Sequence, residues 1–325
     1  MENAAGLNAP LFSFSFCRFS FAFFLFPFAF FPFLSTCSLN TPLYSREPPS
    51  PEIHLIYTGN LNCTLDDCRC DDEFAGGFTR VLAVLDSLRE RHPGFVLVDA
   101  GDFLNSYSLP NANRLMLEML SPAGYAALNL GDQEFVESPA FLESANRELE
   151  TPLPFLSGNV LLKTGRKPVA PLRMQKIRAG QISLSLLGLV DAEAFEFISA
   201  EDIMIIPPEE ALRALQAEAN DPAGLQILLF HGSWQRAGEL LRQFPWIDVV
   251  VLAHNQRRQF QVQSGAALAE CGSEGEYLGR LRITRAGDSW AFENEFIPIL
   301  RRISPNRDAQ RKVDDYYRRL QGGGK

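Results

Sequence analysis

An α/β fold is predicted by three features of the sequence: four apolar runs, helix-periodic stretches between them, and small or polar residues closing each run. The first run, 53–60 (IHLIYTGN), is rich in aliphatic and β-branched residues and suits a strand buried on both faces. A helix follows over 78–91 (FTRVLAVLDSLRER), where Val81, Leu82, Leu85 and Leu88 recur on one side. The second run, 95–102 (FVLVDAGD), returns to strand. Residues 209–219 carry another helical pattern, 225–232 (LQILLFHG) a third strand, 238–244 a third helix, and 247–255 (IDVVVLAHN) a fourth strand. Segments 278–284 (LGRLRIT) and 290–296 (WAFENEF) alternate as antiparallel strands do, so the architecture is mixed. A final helix over 308–320 places Val313, Tyr316, Tyr317 and Leu320 on its apolar side. Ligands of open α/β sheets gather beyond the carboxyl ends of the strands. Asn60, Asp102, His231 and His254 fall there. His54, inside a strand, and His92, before Pro93 at a helix end, read as structural.

The chain has 325 residues and a formal charge of −9, and that acidic balance argues against a broad nucleic-acid-binding surface. Its 26 phenylalanines are unevenly spread, with 12 of them between Phe12 and Phe33 in a stretch whose one charge is Arg18. The uncharged part of this stretch, 19–34, is proline-broken and shorter than the about 20 residues a membrane span needs. A short apolar core behind an arginine and ahead of small residues reads as a secretory signal over residues 1–36. Leu34-Ser35-Thr36-Cys37 resembles the bacterial lipobox, in which the cysteine is lipidated. A lipidated Cys37, an ordinary cleaved signal and an uncleaved anchor all fit, and each puts the protein in the bacterial periplasm or tethered outside the cytoplasm. Membrane contact is expected only through that N-terminal lipid or anchor. Residues 37–51, with Pro42, Pro48, Pro49 and Pro51, read as an extended tether. The main domain is expected over 52–298, with 299–325 a C-terminal helix and tail.

The polar strand ends carry a recognisable order. Thr58-Gly59-Asn60-Leu61-Asn62 is followed by Gly76-Gly77-Phe78-Thr79-Arg80, Asp99-Ala100-Gly101-Asp102 and Gly131-Asp132-Gln133-Glu134. Phe230-His231-Gly232 and Ala253-His254-Asn255-Gln256 come next. This order resembles the calcineurin-like metallophosphoesterases, and among them the N-terminal domain of bacterial 5′-nucleotidases. The resemblance covers about residues 53–296 and implies a four-layer αββα sandwich with two mixed sheets. It also implies a hydrolase acting on small-molecule phosphate esters.

Family enzymes hold two metals bridged by an aspartate, which corresponds to Asp102. At the other positions of the first metal this chain has Asn60, Asn62 and Gln256, neutral amides that bind divalent transition metals poorly. At the positions of the second it has Asp102, Asp132, His231 and His254, all able to ligate. One site therefore reads as dismantled and the other as retained, with Zn, Mn or Fe the suitable ion. The family's catalytic histidine corresponds to Gln133, so the catalytic residues themselves stay open.

A cysteine loop gives the alternative function. Cys63, Cys68 and Cys70 lie in CTLDDCRCDDEFAGG, and Cys271 in AECGSEGEYLG. The loop resembles a bacterial branch of the family with a Cys-Gly-Cys, sometimes with selenocysteine, although Arg69 stands in place of the glycine here. Two disulfides, redox chemistry with a redox partner, and extra metal ligation are all compatible with four exported cysteines. Asp66, Asp67, Asp71 and Asp72 flank the thiols and should raise their pKa values. A third reading is a non-catalytic scaffold that uses the cleft to bind a ligand.

Overall fold

Two six-stranded sheets stack face to face, and the alternation of side chains along their strands sets the layers. The computed structural model describes residues 52–67, 73, 76–199, 201–219 and 221–322. Cys37, Cys68, Cys70 and the whole of 1–51 lie outside the described residues. The first sheet runs, edge to edge, Ser289–Pro298, Tyr277–Ala286, Glu52–Thr58, Val96–Asp99, Ala127–Asn129 and Phe155–Leu156. The second runs Arg258–Gln263, Ala266–Cys271, Val249–Ala253, Leu225–His231, Ile182–Val190 and Met174–Ala179. Both are mixed: Glu52–Thr58 pairs parallel with Val96–Asp99 and antiparallel with Tyr277–Ala286. A small ribbon joins Val160–Leu162 to Ile203–Ile205.

Within Glu52–Thr58, Ile53, Leu55 and Tyr57 enter the core between the sheets while Ile56 enters the core on the opposite face. The same two-residue period splits Leu225–His231: Leu225, Ile227 and Leu229 point to the middle, Leu228 and Phe230 to the outside. Period-two side chains that are apolar on both faces require cover on both faces. Helices supply it. Phe78–Arg91, Pro110–Leu120, Pro139–Arg147 and Arg307–Gly322 cover the first sheet, and Pro208–Ala219 and Trp234–Gln243 cover the second. The four-layer sandwich follows directly.

The predicted face of the first helix is buried as expected, at Val81, Leu82, Leu85 and Leu88. The last helix differs from expectation. It buries Ala309 and Val313 and packs Tyr316, but Tyr317 and Leu320 stay 40% and 57% exposed. The helix is bound by one narrow stripe, because only its N-terminal half overlaps the core. Arg80 Nε donates to Ile303 O and Asn306 N–H to Thr79 O, so the start of the first helix anchors this C-terminal segment. The rings of His54 and His92 lie 4.3 Å apart, tilted by 38°, between Glu52 and Arg280. Among the described residues, no helix is long and apolar enough to cross a membrane.

Candidate metal centre

Strand register brings the polar ends level. Thr58 pairs with Asp99 and Asp99 with Leu128 in the first sheet, and His231 pairs with Val190 and Ala253 in the second. The chain leaving the first sheet carries Asp102 and Asp132, and the strand ends of the second carry His231 and His254. Carboxylates come from one sheet and imidazoles from the other. Their ligating atoms all lie within 4.8 Å of one another. His231 Nε2 is 2.9 Å from Asp132 Oδ1 and 3.4 Å from Asp102 Oδ1. His254 Nδ1 is 3.7 Å from the same Asp132 oxygen, and the two imidazoles meet edge-on at 5.2 Å. Asp102, Asp132 and His231 are buried, whereas His254 keeps 30% of its side chain exposed.

The backbone here is contorted in a way that sequence alone does not display. Asn60, Asn62, Cys63, Asp102, His254 and Gln256 all take positive φ, between 51° and 104°. Clusters of such residues mark sites where the surrounding fold imposes the geometry. Close approach also fixes Gly131, where a Cβ would sit 2.5 Å from Asp102 Oδ1 and 2.7 Å from the His231 ring. Gly77 is equally constrained, because the Asp66 backbone passes where its Cβ would be. After His231 the chain needs only Gly232 before Ser233 caps the next helix by accepting from Arg236 N–H.

Two buried acids hold the ligand loops. Asp99 accepts from Thr58 Oγ1 at 2.5 Å and from Gly101 N–H at 2.8 Å, which shapes the turn into Asp102. Burial pushes Asp99 up to about 6 despite those bonds. Glu134 does more. One of its oxygens accepts from Phe103 and Leu104 N–H at 2.9 and 3.0 Å, the other from Asp102 and Gly131 N–H at 3.0 and 2.7 Å. A single carboxylate thus ties the Asp102 loop to the Asp132 loop. Burial, then the Asp102 charge, pushes Glu134 up to about 8, and the four backbone donors pull toward the ionised form that can accept them all. The sequence motif contains Glu134 but assigns it no role. The available signal is an acidic residue two positions after a candidate ligand.

Burial and the neighbouring Asp132 charge also push Asp102 well above the usual carboxylate range. For Asp132, burial pushes upward but is outweighed by hydrogen bonds from His231 and His254, which hold it below that range. Two buried carboxylates a few ångströms apart, with imidazoles beside them, are stabilised by a divalent cation between them. Two oxygen and two nitrogen donors suit Zn, Mn or Fe. The residues present fit such an ion.

The three amides behave differently. Asn60 donates from Nδ2 to Gly272 O at 3.0 Å and accepts from His254 N–H at 2.7 Å, so its side chain is committed to backbone groups. Asn62 accepts from Gln133 Nε2 at 3.2 Å. Gln256 is exposed. Asn60→Asp is expected to cost about 2 kcal/mol of stability, because a carboxylate cannot donate to Gly272 O and is repelled by it. Urea unfolding checks this, and an unchanged midpoint would exclude the bond as the reason for the amide.

The two cysteines among the described residues, Cys63 and Cys271, do not converge. Cys63 and Cys271 are free and buried, so neither is in a disulfide, and they lie in different cores: Cys63 under the helices of the first sheet, Cys271 between the sheets. Burial pushes the Cys63 thiol up to about 12 and the Cys271 thiol further, with Asp99 adding to the latter. Both are poor thiolates, because an apolar core disfavours the anion.

A buried aspartate–histidine cluster straddling the joined ends of two mixed sheets defines the molecule as an α/β sandwich with a candidate metal site. Solved structures narrow this: the fold is that of the calcineurin-like phosphoesterases and 5′-nucleotidases. The chain is similar to a 5′-nucleotidase precursor from Thermus thermophilus, at TM-score 0.68 and 18% identity over 84% of this chain and 59% of that one. A calcineurin-like phosphoesterase from Bacillus subtilis matches at TM-score 0.65 and 16% identity, over 83% of this chain and 98% of that one. A sulfate thiohydrolase, also from Thermus thermophilus, matches at TM-score 0.68 and 15% identity, over 85% of this chain and 62% of that one. The chain therefore spans about three fifths of the nucleotidase and of the thiohydrolase. No protein-family model and no curated protein matches the sequence.

Proposed function

We propose that the chain is an exported hydrolase of small-molecule phosphate esters that works with one divalent transition metal. The observation that carries this reading is the cluster of Asp102, Asp132, His231 and His254 at the joined strand ends of a phosphoesterase fold. A bound ion would polarise a phosphoryl oxygen and lower the pKa of a water beside it. The chain supplies the rest. Asp102 and Asp132 would balance the ion's charge, His231 lies on the buried side, and partly exposed His254 is the candidate ligand nearest solvent. Glu134 fixes the spacing of the two aspartates through backbone donors.

Gln133, at the family's histidine position, donates to Asp102 and Asn62 and cannot deliver a proton to a leaving group. Esters with good leaving groups are therefore the favoured substrates, since they depart without protonation. Asn60, Asn62 and Gln256 support a single retained metal position. The phenylalanine-rich segment before Cys37 supports export. The thiol alternative has less support, because Cys63 and Cys271 are buried separately and poorly ionised.

The test is metal analysis of the purified protein with a screen of aryl phosphates and 5′-nucleotides. Turnover is expected for wild type and a loss of about 1000-fold for Asp102→Ala. Absence of stoichiometric metal and of Asp102-dependent turnover would sink the reading.

A further inference from the structure

We infer that the Gln133 side-chain amide stands in for a second cation beside Asp102 and so fixes the centre as mononuclear, an inference that rests on the proposed metal reading. The two oxygens of Asp102 have different partners. Oδ1 lies 3.4 Å from His231 Nε2, within the four-residue cluster, and accepts the Gln133 backbone N–H at 3.2 Å. Oδ2 accepts Gln133 Nε2 at 3.0 Å. The same nitrogen donates at 3.2 Å to Asn62 Oδ1. One NH2 group, carrying two partly positive hydrogens, therefore lies between a carboxylate oxygen and an amide oxygen.

Chemistry fixes the orientation of that amide. Flipped, Gln133 Oε1 would face Asp102 Oδ2, acceptor against acceptor. In the observed orientation Oε1 is buried without a partner among the described residues. An orphaned buried acceptor is unfavourable, so the side chain is held by what its nitrogen does. Asn60 is held away from this role by its own bonds: its oxygen accepts from His254 N–H and its nitrogen donates to Gly272 O, so it offers a cation at most one lone pair of a neutral amide. An ion entering between Asp102 Oδ2 and Asn62 Oδ1 has to expel the Gln133 NH2 group. It would then gain only neutral amide oxygens and one shared carboxylate, a weak donor set.

Gln133→Glu reverses this arrangement at almost constant volume. It replaces the donor NH2 with a carboxylate oxygen next to Asp102 Oδ2, and the resulting three-oxygen group, with Asn62 Oδ1, binds a second ion. The experiment strips the full chain of metal and titrates it with Mn²⁺, reading stoichiometry by calorimetry and ion coupling by electron paramagnetic resonance.

Wild type is expected to bind one Mn²⁺ with the spectrum of an isolated ion. Gln133→Glu is expected to bind two with a spin-coupled signal, and Gln133→Glu with Asn62→Leu to lose at least about tenfold in affinity for the second. Two ions in wild type, or a coupled pair, overturn the inference and leave the hydrolase reading standing. No ion in wild type overturns both. A Gln133→Glu protein with a wild-type melting temperature that binds one ion also overturns the inference. If that variant does not fold, the wild-type stoichiometry and spectrum decide alone.

Discussion

Asp132→Ala is expected to weaken divalent-cation binding by about 100-fold or more while leaving the metal-free protein as stable as wild type, within about 1 kcal/mol. The two effects differ because the carboxylate does opposite things in the two states. Without metal, Asp132 sits near buried Asp102, and its charge is one reason the Asp102 carboxyl is pushed up. Removing it relieves that repulsion, which offsets the loss of its hydrogen bonds with His231 and His254. With metal, the same carboxylate is one of only two anionic ligands in the cluster. An ion at 100 times its dissociation constant raises stability by about 2.7 kcal/mol, and in the variant that increment should fall to about 0.4 kcal/mol or less. Melting curves with and without Mn²⁺ or Zn²⁺ separate the two terms. A variant that keeps the full metal-induced rise in melting temperature would place the ion elsewhere.

Glu134→Ala should act on the fold instead of on the ion. Four buried backbone N–H groups lose their acceptor, and each unsatisfied donor costs on the order of 1–3 kcal/mol before water re-enters. Allowing for partial hydration, a loss of about 4 kcal/mol is expected, which lowers the melting temperature by on the order of 10 °C for a chain of this size. Glu134→Gln should cost about half as much. An amide keeps one accepting oxygen but turns its NH2 group toward two of the four donors. Melts of the metal-free protein in chelator check both variants. Equal stability of wild type and Glu134→Ala would show that the two loops hold their shape without the carboxylate.

Much of this molecule could be read from its sequence because the relevant signals are local. The runs at 53–60, 95–102, 225–232 and 247–255 contain, but for Glu52 at the first start, the strands Glu52–Thr58, Val96–Asp99, Leu225–His231 and Val249–Ala253, since aliphatic residues at consecutive positions need cover on both faces. The helix Phe78–Arg91 was legible from its spacing alone. The polar residues that close the strands include Asp102, His231 and His254, the family resemblance adds Asp132, and the structure brings these four into one cluster. The face of the last helix was less legible. Periodicity marks which residues share a side, but not how far along the helix its neighbour extends, so Tyr317 and Leu320 remained exposed.

The cysteines show the same limit from the other direction. Cys63 directly follows Asn62, and Cys271 ends a strand whose next residue accepts from Asn60, so the first lies beside a candidate site residue in sequence and the second beside one in space. Yet one side chain enters the helix-side core and the other the inter-sheet core. A positive φ at Cys63 and the two-residue strand period at Cys271 decide those directions, and neither is visible as a motif.

By itself the sequence determined which faces must be covered, through apolar period, and where polar residues collect, at strand ends; the order of its motifs, by resemblance, implied the four layers and the set of donors. Tertiary structure alone decided which donors meet. Asp102 and Asp132 come from one sheet and His231 and His254 from the other, and only the packing of the two sheets brings their atoms within 4.8 Å. It also decided the roles of the amides and of Glu134. Hydrogen bonds such as those from Asn60 to Gly272, Gln133 to Asp102, and the backbone to Glu134 depend on distances of a few tenths of an ångström between segments far apart in the chain.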